Sequence, residues 1–284
     1  MPEPINAERL ASIVEELPTL PNVMFEVLAV AEDERSTASD LEEVIMRDQA
    51  LSAKILKVAN SAYYGIPRTV ETVSRATVLL GFQTVVGLAL TVSVYDTLWG
   101  AGKSRYLDRR ELWKHSLGVA TASRILSPNR NSKEAAVGFT AGMLHDIGKT
   151  IFDSNLADEY GKVVEKCQKE QIQIYIVETE LLGINHGDLG YRVARRWQLP
   201  DTLCECIHYH HTPSQAPAEF GRMSALVNIA DTLARQLSIG EPGDTAAPAP
   251  DPAAMQLCGL TSEKLSTAAS ELEGYRDKIE AFQT

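Results

Sequence analysis

Apolar residues recur at three- and four-residue spacing along almost the whole chain, while strand signals are scarce and aromatic residues make up only 6%. A pattern of that kind leaves an all-α body as the fold class. In the first third, Val23, Val27, Leu28 and Ala31 stripe a helix that runs to about position 32, with Pro21 suited to its first position. Ser39 followed by Glu42 has the spacing of a capping box and opens a short helix carrying Leu41, Val44 and Ile45. Leu51, Ile55, Leu56 and Ala59 mark another over 49–60. The apolar stretch 82–98 predicts a buried helix. Its internal Gly87 costs about 1 kcal/mol relative to Ala, which points to a close helix crossing there.

The character changes near position 108, because all six histidines lie at or beyond His115. Helices are predicted over 108–126, 133–145, 155–170, 175–182, 186–197, 200–209 and 218–237. The chain then divides into a helical body over 11–237, made of lobes 11–107 and 108–237, and a tail. Residues 240–252 contain four prolines and two glycines, so 238–252 is expected to be a linker or mobile loop. Within 253–284, Leu265, Ala268, Ala269, Leu272, Tyr275 and Ile279 predict a final amphipathic helix begun by Thr261 or Ser262.

Composition narrows the partners. A formal charge of −11 repels phosphate backbones, which excludes nucleic acid. No apolar run reaches the roughly 20 residues a bilayer crossing needs. The acidic start lacks the features of a secretory signal, so a cytoplasmic location is expected. Cys167, Cys204, Cys206 and Cys258 have no zinc-finger spacing and read as reduced packing residues.

Chemistry concentrates in Gly142-Met143-Leu144-His145-Asp146-Ile147-Gly148-Lys149. An imidazole beside a carboxylate suits both borderline and harder cations, and together they can hold and bridge two ions. A lone histidine on a helix is ordinarily a packed or solvated residue. Here His115, His186 and the pair His210-His211 stand beside His145, with Asp231 further along.

These residues resemble the HD superfamily of metal-dependent phosphohydrolases, whose histidine, HD dipeptide and distant aspartate match His115, His145, Asp146 and Asp231 in order. The chain is still more similar to the HDOD domain, the HD-related output domain of bacterial signalling proteins. The resemblance is carried by Leu17-Pro18-Thr19-Leu20-Pro21, Asp48 to Leu56, Asn60-Ser61-Ala62-Tyr63-Tyr64-Gly65, Ala76 to Gly81 and Trp197-Gln198-Leu199-Pro200. It implies a multi-helical fold in which an N-terminal helical lobe packs on an HD-type core. A ligand set similar to that of the HD-GYP phosphodiesterases adds His186, His210 and His211. After His211, however, residues 212–217 show no GYP element, which argues against cyclic di-GMP hydrolysis.

The resemblance implies two divalent transition metals, Fe or Mn with Zn as an alternative. One would take His115, His145, Asp146 and Asp231, and the other His186, His210 and His211, with Asp146 as bridge and catalytic centre and Lys149 placed to neutralise a phosphate. Two functions follow. One is a signalling output module with a protein partner, its signal arriving through a separate molecule. The other is a phosphohydrolase acting on a phosphoester or nucleotide.

Overall fold

A computed structural model describes residues 5–100, 105–244 and 247–282; the acidic start, positions 101–104 between the lobes, positions 245–246 of the Pro-rich stretch and the last two residues lie outside the described residues. Every regular element among the described residues is helical. The N-terminal lobe comprises α1 (Ala7–Glu16), α2 (Asn22–Glu32), α3 (Ala38–Ile45), α4 (Gln49–Ala59), α5 (Val73–Leu80) and α6 (Phe82–Gly100). The second lobe comprises α7 (Arg109–Leu126), α8 (Lys133–Leu144), α9 (Ile147–Asn155), α10 (Ala157–Glu170), α11 (Ile174–Leu182), α12 (His186–Arg196), α13 (Asp201–Tyr209) and α14 (Ala218–Gln236). The tail forms α15 (Pro252–Cys258), α16 (Ser262–Glu273) and α17 (Arg276–Glu280).

Three expectations shift. The capping box of α3 is Thr37 with Asp40, because Asp40 Oδ2 accepts from the Thr37 backbone at 2.7 Å while Glu42 instead accepts from Ser74 N at 3.1 Å. The stretch after the HD dipeptide is itself a helix, α9, ended where Leu156 leaves helical geometry at φ −133. The single tail helix is broken after Glu273, where Arg276 turns back to bind the carbonyls of Leu237 and Ser238. Thr261 does cap α16, accepting from Lys264 N.

Close crossings bring the lobes together. A Cβ on Gly87 would sit 2.1 Å from Thr140 Oγ1, so α6 reaches α8 only because that position is glycine. Gly142 does the same between α8 and α7, where an added Cβ would lie 2.7 Å from the Ala120 backbone. Buried residues from α1 to Phe282 form one continuous apolar cluster. Polar ties cross the joint: Tyr63 Oη meets Thr121 Oγ1 at 2.9 Å, and Tyr95 Oη lies 3.1 Å from the Met143 carbonyl. The 17–21 turn is fastened to the end of α12, with Trp197 Nε1 donating to Pro18 O at 3.0 Å and Arg196 to Leu17 O at 2.7 Å. No helix among the described residues is long and apolar enough to cross a membrane.

Candidate metal centre

Helix ends rather than helix faces supply most of the chemical groups. His145 is the C-cap of α8 and Asp146 the N-cap of α9. His186 opens α12 behind an Asn185/Asp188 capping box, and His210 closes α13 with His211 next to it. His115 and Asp231 instead lie in the interiors of helices, α7 and α14, which pack together. Gly148 brings the two halves into contact. A Cβ there would fall 2.0 Å from the His186 carbonyl, so the start of α9 sits against the start of α12 and Asp146 reaches His186.

The ligating atoms of Asp146, His186, His210 and His211 all lie within 4.8 Å of one another, as do those of His115, His145 and Asp146. Asp146 belongs to both groups. Its Oδ1 is 3.1 Å from His186 Nε2 and 3.7 Å from His210 Nε2, while Oδ2 is 3.3 Å from His145 Nε2 and 4.0 Å from His115 Nε2. Asp231 Oδ1 joins the second group at 3.1 Å from His115 Nε2 and 4.0 Å from His145 Nε2. His211 Nε2 and His210 Nε2 approach His186 Nε2 to 2.9 and 3.2 Å. All seven residues singled out from the sequence therefore converge.

Hydrogen bonding decides what this cluster can hold. The Nδ1 atoms of His145, His210 and His115 face the carbonyls of Gly142 at 2.8 Å, Ile207 at 2.8 Å and Ile239 at 3.3 Å. The Nδ1 of His186 faces Glu178 Oε2 at 2.6 Å. Carbonyl and carboxylate oxygens only accept, so each Nδ1 carries the hydrogen and, in the neutral ring, each Nε2 presents a lone pair. Four such nitrogens point at the oxygens of Asp146 and Asp231, acceptors facing acceptors. His145 Nε2 and Asp146 Oδ1 are buried with no hydrogen-bond partner at all. Buried acceptors without donors are costly, and a cation is the species that satisfies them together. Histidines fixed through Nδ1 in this way are also the common arrangement of metal ligands. The residues present fit a divalent transition metal.

Charge points the same way. Burial depresses His210 and His211 well below the ordinary imidazole range, helped by the neighbouring rings. His115 is lowered as well, chiefly by burial. Burial also pulls His186 down, but the Glu178 carboxylate outweighs it and holds this ring up at about 9. One proton thus serves where a cation would, and metal and proton compete for His186. Although burial opposes ionisation, His145 and Lys149 hold the Asp146 carboxyl well below its usual range, and Arg235 with His115 does the same for Asp231.

Lys149 is 2% exposed and donates to Asp146 Oδ2 at 2.8 Å, so it is an internal counter-ion rather than a cation displayed to solvent. Three contributors were not singled out from the sequence. Arg235 grips Asp231 through Nε at 2.9 Å and through a short contact from Nη2, and its Nη1 donates to Asp244 Oδ2 at 2.9 Å. Glu178 is fully buried and also accepts from Tyr160 Oη at 2.9 Å. Asp244 lies in the stretch expected to be a linker, yet its side chain is fully buried. His208 stays apart, paired with Asp188 at 3.0 Å and stacked on Tyr191.

The centre is closed. His115, His145, His186 and His210 are 0% exposed, and only His211 is half-buried. Over that one open side Tyr175 stacks on the His211 ring, with centroids 4.3 Å apart and planes inclined by 12°.

Known proteins share this architecture. An HDOD domain protein of unknown function from Geobacter sulfurreducens superposes with a TM-score of 0.79 at 24% identity, covering 98% of this chain and 100% of its own. A provisionally named phosphohydrolase from Shewanella amazonensis SB2B superposes with a TM-score of 0.73 at 24% identity, covering 96% of each chain. In sequence, an uncharacterised protein of Treponema pallidum (strain Nichols) is 26% identical over 241 residues, 81% of this chain but 44% of that protein. The chain spans less than half the length of the first curated relatives it matches. The HDOD domain family itself matches residues 17–213, well over half of the chain, and to that family this protein belongs.

Proposed function

We propose that this chain is a bacterial signal-transduction output module, cytoplasmic and acting on a protein partner, whose HD-type centre holds two divalent transition metals in a structural or sensory role. Fe or Mn suits the imidazole-rich set with its shared carboxylate, and Zn is the alternative. His115, His145, Asp146 and Asp231 would hold one ion, and His186, His210 and His211 the other, with Asp146 common to both. The observation that carries this reading is the convergence of histidine Nε2 atoms on Asp146, with His145 Nε2 and Asp146 Oδ1 both buried and without a hydrogen-bond partner. The closed centre favours a sensory role, since a phosphoester would have to displace Tyr175 to arrive.

A second reading, a phosphohydrolase acting on a phosphoester or nucleotide, draws support from the two-group arrangement around Asp146 and from the name of the Shewanella structural relative. Bound ions would supply Lewis acidity and acidify coordinated water. In that reading Asp146 stands at the reacting centre, Lys149 sets its charge, and the Tyr175 ring excludes bulk water. The absence of a GYP element after His211 keeps cyclic di-GMP an unsuitable substrate.

Elemental analysis of protein purified without chelator, then reconstituted with Fe or Mn, tests the metal. About one to two equivalents are expected, and less than about a tenth of an equivalent after reconstitution would remove the centre from both readings. Turnover of bis(p-nitrophenyl) phosphate by metal-loaded protein and its His145→Ala variant separates the two. Slow or no turnover fits the output module, whereas efficient turnover that depends on His145 fits the enzyme.

A further inference from the structure

We infer that residues 238–244 form a strap that couples both halves of the metal centre to the surface, so that strap order and metal occupancy rise and fall together. This rests on the metal-binding reading above and extends it to regulation. After α14 the chain reverses at Ser238 (φ 52) and Gly240 (φ 64) and runs back across α7. A side chain at Gly240 would lie 2.3 Å from Glu111 O and 2.4 Å from His115 N, so the strap presses on the backbone of α7 at the turn that carries His115. Glu241 N donates to Glu111 O at 3.3 Å, and the buried Ile239 offers its carbonyl to His115 Nδ1. The strap itself therefore fixes the His115 tautomer.

Its far end reaches the other groups. Asp244 Oδ2 accepts from Arg235 Nη1 at 2.9 Å, and the same guanidinium holds both oxygens of Asp231. A planar fork between two carboxylates orients each of them, so Asp231 is aimed by a residue of the strap. That same Asp244 oxygen accepts from Ile174 N at 3.3 Å, at the first residue of α11, next to the Tyr175 that stacks on His211. One short irregular segment thus touches His115 directly, Asp231 through Arg235, and His211 through α11.

Elsewhere along the strap, Arg276 Nη1 donates to Ser238 O at 3.4 Å and Cys167 Sγ lies 4.0 Å from Gly243 O. The strap's buried apolar anchors are Ile239 and Pro242, Glu241 is exposed, and an open cavity of about 410 Å³ runs along it beside Gln168 and Ala247. A segment with few apolar contacts opens at low cost, so its order depends on the polar contacts to the centre. Those contacts feel the charge of the centre. Coupling of this kind is reciprocal: bound metal would favour the ordered strap by the same factor by which the ordered strap favours metal.

Hydrogen exchange by mass spectrometry on the full chain, with Mn(II) and Zn(II) as probes, tests this. Amides of 239–244 are expected to exchange at least about tenfold more slowly with metal bound, and Asp244→Asn should bind metal about tenfold more weakly and lose that protection. Gly240→Ala, which lifts the strap from α7 while leaving Arg235 and Asp244 intact, should do the same. Metal bound by the wild type with unchanged strap exchange overturns the coupling and leaves the metal centre standing. Wild-type affinity in both variants overturns it as well. A wild type that takes up no metal overturns centre and strap together. Should both variants lose their helical circular dichroism, the wild-type exchange with and without metal decides alone.

Discussion

The two lobes bury different kinds of group. In the N-terminal lobe the fully buried side chains are apolar, such as Met24, Val27, Leu41, Ile45 and Ile55, and the buried polar groups there are a few hydroxyls including Ser52 and Thr77. In the second lobe buried apolar residues surround four buried histidines together with Asp146, Asp231, Glu178 and Lys149. Apolar burial stabilises at roughly 25 cal/mol per Å² whatever the neighbours' identity, whereas buried charge stabilises only when it is matched. The first lobe is therefore held by shape. The second depends also on charge balance, into which a bound cation would enter.

The sharpest way to break this contrast is Asp146→Ala. The substitution removes the group shared by both ligand sets and leaves the Lys149 ammonium buried without its partner, which costs about 3 to 5 kcal/mol. Both ions should be lost together, read by elemental analysis alongside a denaturant titration. Retention of one full equivalent would show that Asp146 is not shared.

Leu41→Ala is the opposite probe. It opens a cavity at a site with 0% exposure and should cost about 2 to 5 kcal/mol, the same order as the first change, with metal content unchanged. Loss of metal in parallel with stability would mean that the lobes do not separate shape from charge as described.

What could be read in the sequence follows the same division. Apolar packing leaves a periodic trace, so the helices around Leu41, Ile55 and Gly87 were legible, down to the close crossing at Gly87. The groups that converge at the centre were legible by residue type and by the family resemblance. The groups that orient them left weaker traces. Arg235 stands four residues after Asp231 on one helix face, a spacing that could have been noticed. Glu178 stands at four-residue spacing between Ile174 and Leu182, on the apolar face of α11 that Glu180 does not share, which also signals a buried role. Asp244 gave no signal, because a Pro- and Gly-rich stretch has no periodicity and its bonds to Ile174 and Arg235 are made across space.

Glu178→Gln sharpens the contrast within the second lobe. The amide keeps the shape but gives up the charge that orients and polarises His186 through Nδ1, so metal affinity should fall about tenfold while the apolar core is untouched. Competition titration with a chromophoric chelator measures it. An unchanged affinity would make Glu178 a packing residue and nothing more.

The smallest effect is expected at the one histidine that stands outside the centre. His208 Nε2 is 3.0 Å from Asp188 Oδ1, on a partly exposed surface, and its ring stacks on Tyr191. Asp188 also closes the capping box that starts α12 at His186, so His208 is the member of the set nearest the centre that charge balance there does not require. A polar contact this exposed contributes about 0.5 kcal/mol. His208→Ala should therefore lower stability by about that amount, with metal content and chelator competition both unchanged. A drop in metal affinity would mean that the capping box transmits orientation to His186, and the boundary between charge-held and shape-held structure would move outward by one turn of α12.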